Sequence, residues 1–290
     1  MEKPITIRGR LARPRPTAMA EDLPDLPAPS RNMAPLPFRL VYALYTTILF
    51  LLVGLAALLA VSLLPRTERR RRAARRLARA FLRCAGMRLT VEDLDRLPQG
   101  QCVVVANHAS YLDGLVFTAA LPARFGFVIK REMARVPLAG WFLRRIGSEF
   151  VERFDSKRGA ADALRMLRNA SNGHSLVFFP EGTFTPSPGL LKFHTGAFAT
   201  AVRAGCPIVP AVVHGTRTAL SPRGELPRPA AVRVAILPPI PAQAHSAALL
   251  RDQARAAILA ALGEPDLTCC ADSARPLHTE HAKSAPASRS

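Results

Sequence analysis

Just beyond a run of valines the chain reads Asn107-His108-Ala109-Ser110-Tyr111-Leu112-Asp113-Gly114. A histidine titrates near neutrality, so it can take a proton from an alcohol and return it to a leaving group. It needs a partner to fix its tautomer and steady the imidazolium. Asp113 is the nearest carboxylate. On one straight helix five residues would carry it about 140° around the axis, so His108 belongs in a loop and Asp113 in the first turn of the helix that follows. Ser110-x-x-Asp113 has the spacing of a helix N-cap. The same letters also suit a capping carboxylate and a strand-end polar group that do no chemistry.

Three further blocks place reactive side chains after β-branched runs. Phe179-Pro180-Glu181-Gly182-Thr183-Phe184 ends a strand with proline and turns sharply at glycine, which delivers Glu181 to the strand's carboxyl end. It reads equally as an ordinary exposed turn. Lys130-Arg131-Glu132-Met133 sets cations at a strand terminus, where they suit a phosphate, and a helix opening after Pro137 could present free amides. Surface charges account for the same residues. Val209-Pro210-Ala211-Val212-Val213-His214 ends in a histidine with no carboxylate near it in sequence, so His214 is expected to be a packing or turn residue rather than a second base.

These blocks need a scaffold that brings strand ends together. Strands are expected at Cys102–Ala106, Gly126–Ile129, Leu176–Phe179, Ile208–Val213 and Val232–Leu237. Helices are expected at Tyr111–Ala120, Leu138–Ile146, Lys157–Ala170, Ala197–Ala204 and Ser246–Leu262. Alternation of this kind over residues 89–262 predicts an α/β domain, a largely parallel sheet covered by helices. In such sheets chemistry sits where strands end and loops begin.

Taken in order, the four blocks resemble those of the PlsC-like glycerolipid acyltransferases, the family of 1-acylglycerol-3-phosphate and lysophospholipid acyltransferases. The resemblance covers about residues 101–239. Its N-H-x-x-x-x-D block stands at Asn107 to Asp113 and its K-x-E-L-x-x-x-P-x-x-G block at Lys130 to Gly140, with Met133 for Leu; F-P-E-G-T stands at Phe179 to Thr183 and V-P-V at Val209 to Ala211. The resemblance implies acyl transfer from acyl-CoA or acyl carrier protein to a lysolipid hydroxyl, with no other cofactor. His108 would be the base and Asp113 its orienter, while Asn107, Lys130, Arg131, Glu181, Gly182, Thr183 and Lys192 would bind substrate. The family often carries Arg after F-P-E-G-T to help hold the acceptor phosphate, and here that residue is Phe184; two common lysines are replaced by His194 and Thr195. The acceptor could therefore be 1-acylglycerol-3-phosphate, with Lys130, Arg131 and Lys192 compensating, or a lysophospholipid or lyso-aminolipid with another head group.

The rest of the chain points to a membrane. Leu40 to Leu64 is 25 residues without a charge, about 37 Å as a helix against a hydrocarbon core of roughly 30 Å. A membrane anchor over residues 38–65 follows, either a full span or a bent re-entrant pair. Residues 66–88 carry ten basic residues against one acidic, so nearly half of the net charge of +19 sits there. Positive residues beside an apolar segment stay cytoplasmic, which predicts a cytoplasmic catalytic domain. Ala74, Leu77, Phe81 and Ala85 recur at helical spacing, so this piece is expected to lie on the membrane surface, or else to be a solvated helix that sets topology. Because the arginine run abuts an apolar segment and lacks interleaved aromatics, nucleic acid is not the expected partner. Residues 1–37, with eight prolines, and residues 263–290 read as disordered tails. Five cysteines without C-x-x-C or metal spacing predict neither a disulfide framework nor a zinc site. No G-x-S-x-G elbow and no G-x-x-x-x-G-K-[ST] loop occurs. A noncatalytic lipid-binding protein is the rival of another class.

Overall fold

The computed structural model describes residues 35–151, 174–242 and 246–268. The helix expected at Lys157–Ala170 and both expected tails, apart from a few residues at their inner ends, lie outside them. A long helix α1 (Leu36–Leu63) and the basic helix α2 (Thr67–Cys84) come first, followed by β1 (Arg88–Glu92), β2 (Val103–Ala106), α3 (Asp113–Ala120) and β3 (Phe125–Lys130). After a 3-10 turn at Arg131–Arg135 come α4 (Ala139–Arg145), β4 (Glu149–Val151) and β5 (Ser175–Phe178). The chain closes with α5 (Gly196–Ala204), β6 (Ile208–His214), the single turn α6 (Thr216–Ala219), β7 (Ala231–Ile236) and α7 (Ala247–Leu262).

The strands form one seven-stranded sheet in the order β1-β7-β6-β2-β5-β3-β4, and only the β6–β7 pairing is antiparallel. β2 is VVVA, buried on both faces, as a central strand covered on each side must be. Alternation divides its side chains between two cores. Val104 and Ala106 pack with Phe81 and Leu82 of α2 and Val116 and Phe117 of α3. Val103 and Val105 face the other way, toward Phe198 of α5 and the Leu250, Ala254, Ile258 and Leu262 stripe of α7. The largely parallel sheet covered by helices is thus the architecture present. The sequence signs miss β1, whose exposed Arg88 and Thr90 blur its apolar alternation, and β4, only three residues long.

α2 departs from expectation. Of the stripe expected to meet a membrane, Ala74, Phe81 and Ala85 are buried and Leu77 is half-buried, and Phe81 and Ala85 join Ala78 and Leu82 in the core beside α3. The apolar stripe is there because the domain needs a helix on that face of the sheet. The arginines flanking it take up helix-end carbonyls that have no intrahelical donor. Arg79 Nε donates to Ala119 O of α3 at 2.8 Å, and Arg70 Nε donates to Leu64 O at the end of α1 at 2.8 Å. Arg71 is 7% exposed and donates to Ile146 O at 2.7 Å, Gly147 O at 3.0 Å and Arg124 O at 3.3 Å. Gly147, at φ +71°, permits that approach, since a Cβ there would stand 2.8 Å from the guanidinium.

α1 runs alongside α2, held at both ends. Tyr42 Oη donates to Ala85 O at 2.6 Å, Phe50 meets Phe81 edge-on at 5.9 Å, and Arg145 Nη2 donates to Val61 O at 3.0 Å. Its outer face leaves Leu40, Leu44, Leu51, Leu52, Leu55 and Leu59 more than half exposed.

Candidate active site

Strand register sets the site. Val105 of β2 pairs with Phe178 of β5, so His108 and Glu181, each three residues farther on, arrive level at the same rim of the sheet. Glu181 Oε1 accepts the His108 backbone N–H at 2.6 Å, and its Oε2 accepts Leu191 N–H at 2.8 Å. The carboxylate thereby ties the β2 loop to the chain that follows β5. Glu181 was expected to bind acceptor; both its oxygens are instead occupied by main chain. Burial pushes its pKa up to about 7 against the opposing pull of these two N–H donors, with the Asp113 charge raising it further and Arg217 lowering it. Gly182 makes the turn at φ +74°, its N–H donating to Phe179 O at 3.0 Å.

His108 sits in the loop and Asp113 is the first residue of α3. Asp113 Oδ2 accepts His108 Nδ1–H at 2.7 Å, Ala109 N–H at 2.6 Å and Ser110 N–H at 2.9 Å, in a side chain with no exposure. One oxygen therefore fixes the imidazole's tautomer and folds the loop that carries it. This leaves Nε2 as the ring nitrogen able to accept a proton, in a side chain that retains 16% of its surface. The helix begins at Asp113 rather than Tyr111, and Ser110 is not its cap: Ser110 Oγ accepts Leu112 N–H at 3.2 Å and donates to Leu220 O at 2.7 Å.

Asn107 was also expected to touch substrate. It is 2% exposed, and its side chain pairs doubly with Val213 of β6, Nδ2 donating to the carbonyl at 3.0 Å and Oδ1 accepting the N–H at 2.8 Å. Its work is to lock the β2 loop to the neighbouring strand. Thr183 and Lys192 are exposed near the rim. Lys130 ends β3, two strands from β2 or about 10 Å across the sheet, and its Nζ is 3.1 Å from Glu132 Oε1. Arg131 opens the next 3-10 turn. His214 is half-buried, and burial lowers its pKa, with Arg233 adding to the effect; this suits the packing role expected of it.

Aromatic rings surround the imidazole, a feature the motifs do not announce. Phe179 stacks on His108 at 4.5 Å and 22°, Phe184 meets it edge-on at 4.5 Å and 70°, and Tyr111 meets Phe184 at 4.8 Å and 90°. The available signal was position alone: Phe179 and Phe184 bracket the P-E-G-T turn, and Tyr111 lies three residues past His108. An imidazole oriented by a buried carboxylate can deprotonate an alcohol held against the rim.

Residues 88–214 match a family profile described as Acyltransferase. The chain is 31% identical over 199 residues to a lyso-ornithine lipid O-acyltransferase of Pseudomonas aeruginosa, covering 62% of this chain and 74% of that protein. It is 32% identical over 169 residues to a chloroplastic 1-acyl-sn-glycerol-3-phosphate acyltransferase of Brassica napus, covering 57% of this chain; here it spans 48% of the relative's length, and it spans about half of several others that it matches. The fold is shared with the crystal structure of the 1-acyl-sn-glycerophosphate acyltransferase PlsC from Thermotoga maritima, with a TM-score of 0.62 and 23% identity over 83% of this chain and 97% of that one.

Proposed function

The chain belongs to the PlsC-like acyltransferases, and from that premise we propose that it moves a fatty acyl group from a thioester, acyl-CoA or acyl carrier protein, to the free hydroxyl of a lysolipid. The observation that carries this reading is the 2.7 Å hydrogen bond from His108 Nδ1 to the buried Asp113. His108 Nε2 takes the proton of the acceptor hydroxyl as its oxygen attacks the thioester carbonyl. The tetrahedral adduct collapses by breaking the carbon–sulfur bond, and the imidazolium returns its proton to the departing thiolate. Asp113 steadies the imidazolium through that cycle, as the carboxylate of a serine-protease triad does. A thiolate leaves readily, so direct transfer suffices and no acyl-enzyme is invoked.

The acceptor has two readings. 1-Acyl-sn-glycerol-3-phosphate, giving phosphatidate, is the acceptor in the names of most of the relatives found. A lyso-aminolipid is the second, favoured by Phe184 beside His108 in place of a phosphate-holding arginine and in keeping with the name of the Pseudomonas relative. The apolar outer face of α1 supports a membrane location, where both lysolipid and product reside, and the arginine-rich α2 beside it favours the cytoplasmic face, whose anionic lipids attract it. The test is turnover by purified protein in detergent with labelled acyl-CoA and a panel of lysolipids. Wild-type protein should acylate at least one of them, and His108→Ala should lose at least about a hundredfold in rate. Equal rates from the two proteins would remove His108 from the chemistry.

A further inference from the structure

Where a cation was expected after Thr183, a ring stands against His108. Phe184 meets the imidazole edge-on at 4.5 Å, and Tyr111 continues the wall at 4.8 Å from Phe184, itself 74% exposed. Of the three cations expected to hold a phosphate, Lys130 lies two strands away and is paired with Glu132 at 3.1 Å and Arg131 opens the 3-10 turn after it, while Lys192 is exposed on the chain that follows β5.

A phosphate monoester carries two negative charges and needs N–H donors in place of the water it sheds. Phenyl edges and faces supply none. A protonated amine has the opposite requirement: it is attracted to the negative faces of aromatic rings, most of all where they remain partly open to water. Tyr111 is the outer ring, separated from His108 by Phe184. An ammonium group held there lies beyond the ring next to the imidazole and opposes its protonation less than one held at Phe184 would.

We propose that Phe184 and Tyr111 form an acceptor-selecting wall that favours a lysolipid bearing a protonated amine on its head group over one bearing a phosphate monoester beside the reacting hydroxyl. This rests on the acyl-transfer reading above and assigns its acceptor class. Phe184 sets the preference by withholding phosphate donors, and Tyr111 supplies the ring that takes the amine.

The experiment compares two acceptors with full-length protein in detergent and one labelled acyl-CoA: a lyso-aminolipid with a free hydroxyl and primary amine, and 1-acylglycerol-3-phosphate. Wild-type protein should show kcat/KM higher by about tenfold or more for the amine acceptor, the size of one good cation–π contact. Tyr111→Ala should raise KM for the amine acceptor severalfold while leaving its kcat within twofold. Phe184→Arg should move the ratio of the two kcat/KM values toward the phosphate acceptor by about tenfold or more. If Phe184→Arg does not fold, as judged by thermal melting, Phe184→Gln takes its place; its amide N–H supplies a donor at the same position and should move the ratio in the same direction. A wild type that prefers the phosphate acceptor, or variants that leave the ratio unmoved, would overturn the selecting wall while acyl transfer stands. Consumption of neither acceptor by the wild type, with any thioester tried, would overturn acyl transfer and the wall together.

Discussion

His108 and Asp113 are five residues apart, yet they meet only because the chain between them turns around the carboxylate. Asp113 Oδ2 accepts two backbone N–H groups of that loop as well as the imidazole's. Asp113→Asn would present an amide nitrogen or leave a weaker acceptor where three donors converge. We expect kcat/KM to fall by about a hundredfold to ten-thousandfold, read from initial rates, with His108→Ala/Asp113→Asn little worse than either single change if the two act as a unit. A second titratable residue governs stability rather than turnover. His174 is pushed down to about 4 by burial and by the Arg71 guanidinium, whose Nη1 donates to its Nδ1 at 2.9 Å. Its folded pKa lies below the unfolded value of about 6.5, so the unfolded chain binds the extra proton first. Stability is full above about pH 6.5 and declines as pH falls toward about 4. Thermal melts across that interval should show a slope that His174→Gln reduces. The pairing of His108 with Asp113 was legible from residue type and spacing. The roles of Asn107 and Glu181 were not, because their partners, Val213 and His108, are distant in sequence and bond through main chain, which leaves no mark on residue identity.

At the scale of elements, α2 is the instructive case. Its period of small and apolar residues was plain, but period alone does not say what covers the stripe, and the core of the domain covers it. Phe81, 4% exposed and in contact with Phe50 of α1, should cost about 3–5 kcal/mol when truncated to Ala, measured by denaturant unfolding in detergent. A helix held only on a lipid surface would lose far less. Its arginines divide in the same way: Arg70, Arg71 and Arg79 have carbonyl partners on other elements, whereas Arg72 is more than half exposed and reaches only Glu68, at 3.7 Å within the same helix. Arg71→Ala should therefore destabilise the protein far more than Arg72→Ala, since it strands several buried carbonyls. Equal melting temperatures for the two variants would contradict this division. Strand positions with uninterrupted β-branched residues were readable; β1 was not, since a partly exposed strand with alternating charge looks like a loop.

For the whole molecule the open question was how a 25-residue apolar run meets a bilayer. α1 is about 42 Å long and is fastened at Tyr42 to the C-terminal end of α2 and at Val61 to Arg145. Standing it across the hydrocarbon would carry α2 and its eight arginines in with it, at about 2.5–3.5 kcal/mol for each one near the centre. The fastened geometry predicts that α1 lies lengthwise against one leaflet with its exposed leucines down. Single cysteines placed at residues 36 and 63, in a protein whose native cysteines are replaced, should both label from the same side of sealed vesicles. Labelling from opposite sides would mean that α1 leaves its seat on α2. Dissociation from vesicles in high salt should be incomplete, because the apolar face remains buried after the charges are screened.

The sequence by itself determined the pairing of His108 with Asp113, the α/β alternation, the family and the presence of an apolar helix, because each is written in residue type and short-range period. Tertiary structure alone decided that Asn107 and Glu181 hold main chain, what covers the stripe of α2, and that aromatic rings flank His108. Those outcomes depend on strand order and register, which bring residues 108, 181 and 213 to one rim. Contacts made across more than seventy residues of chain leave no local pattern from which to read them.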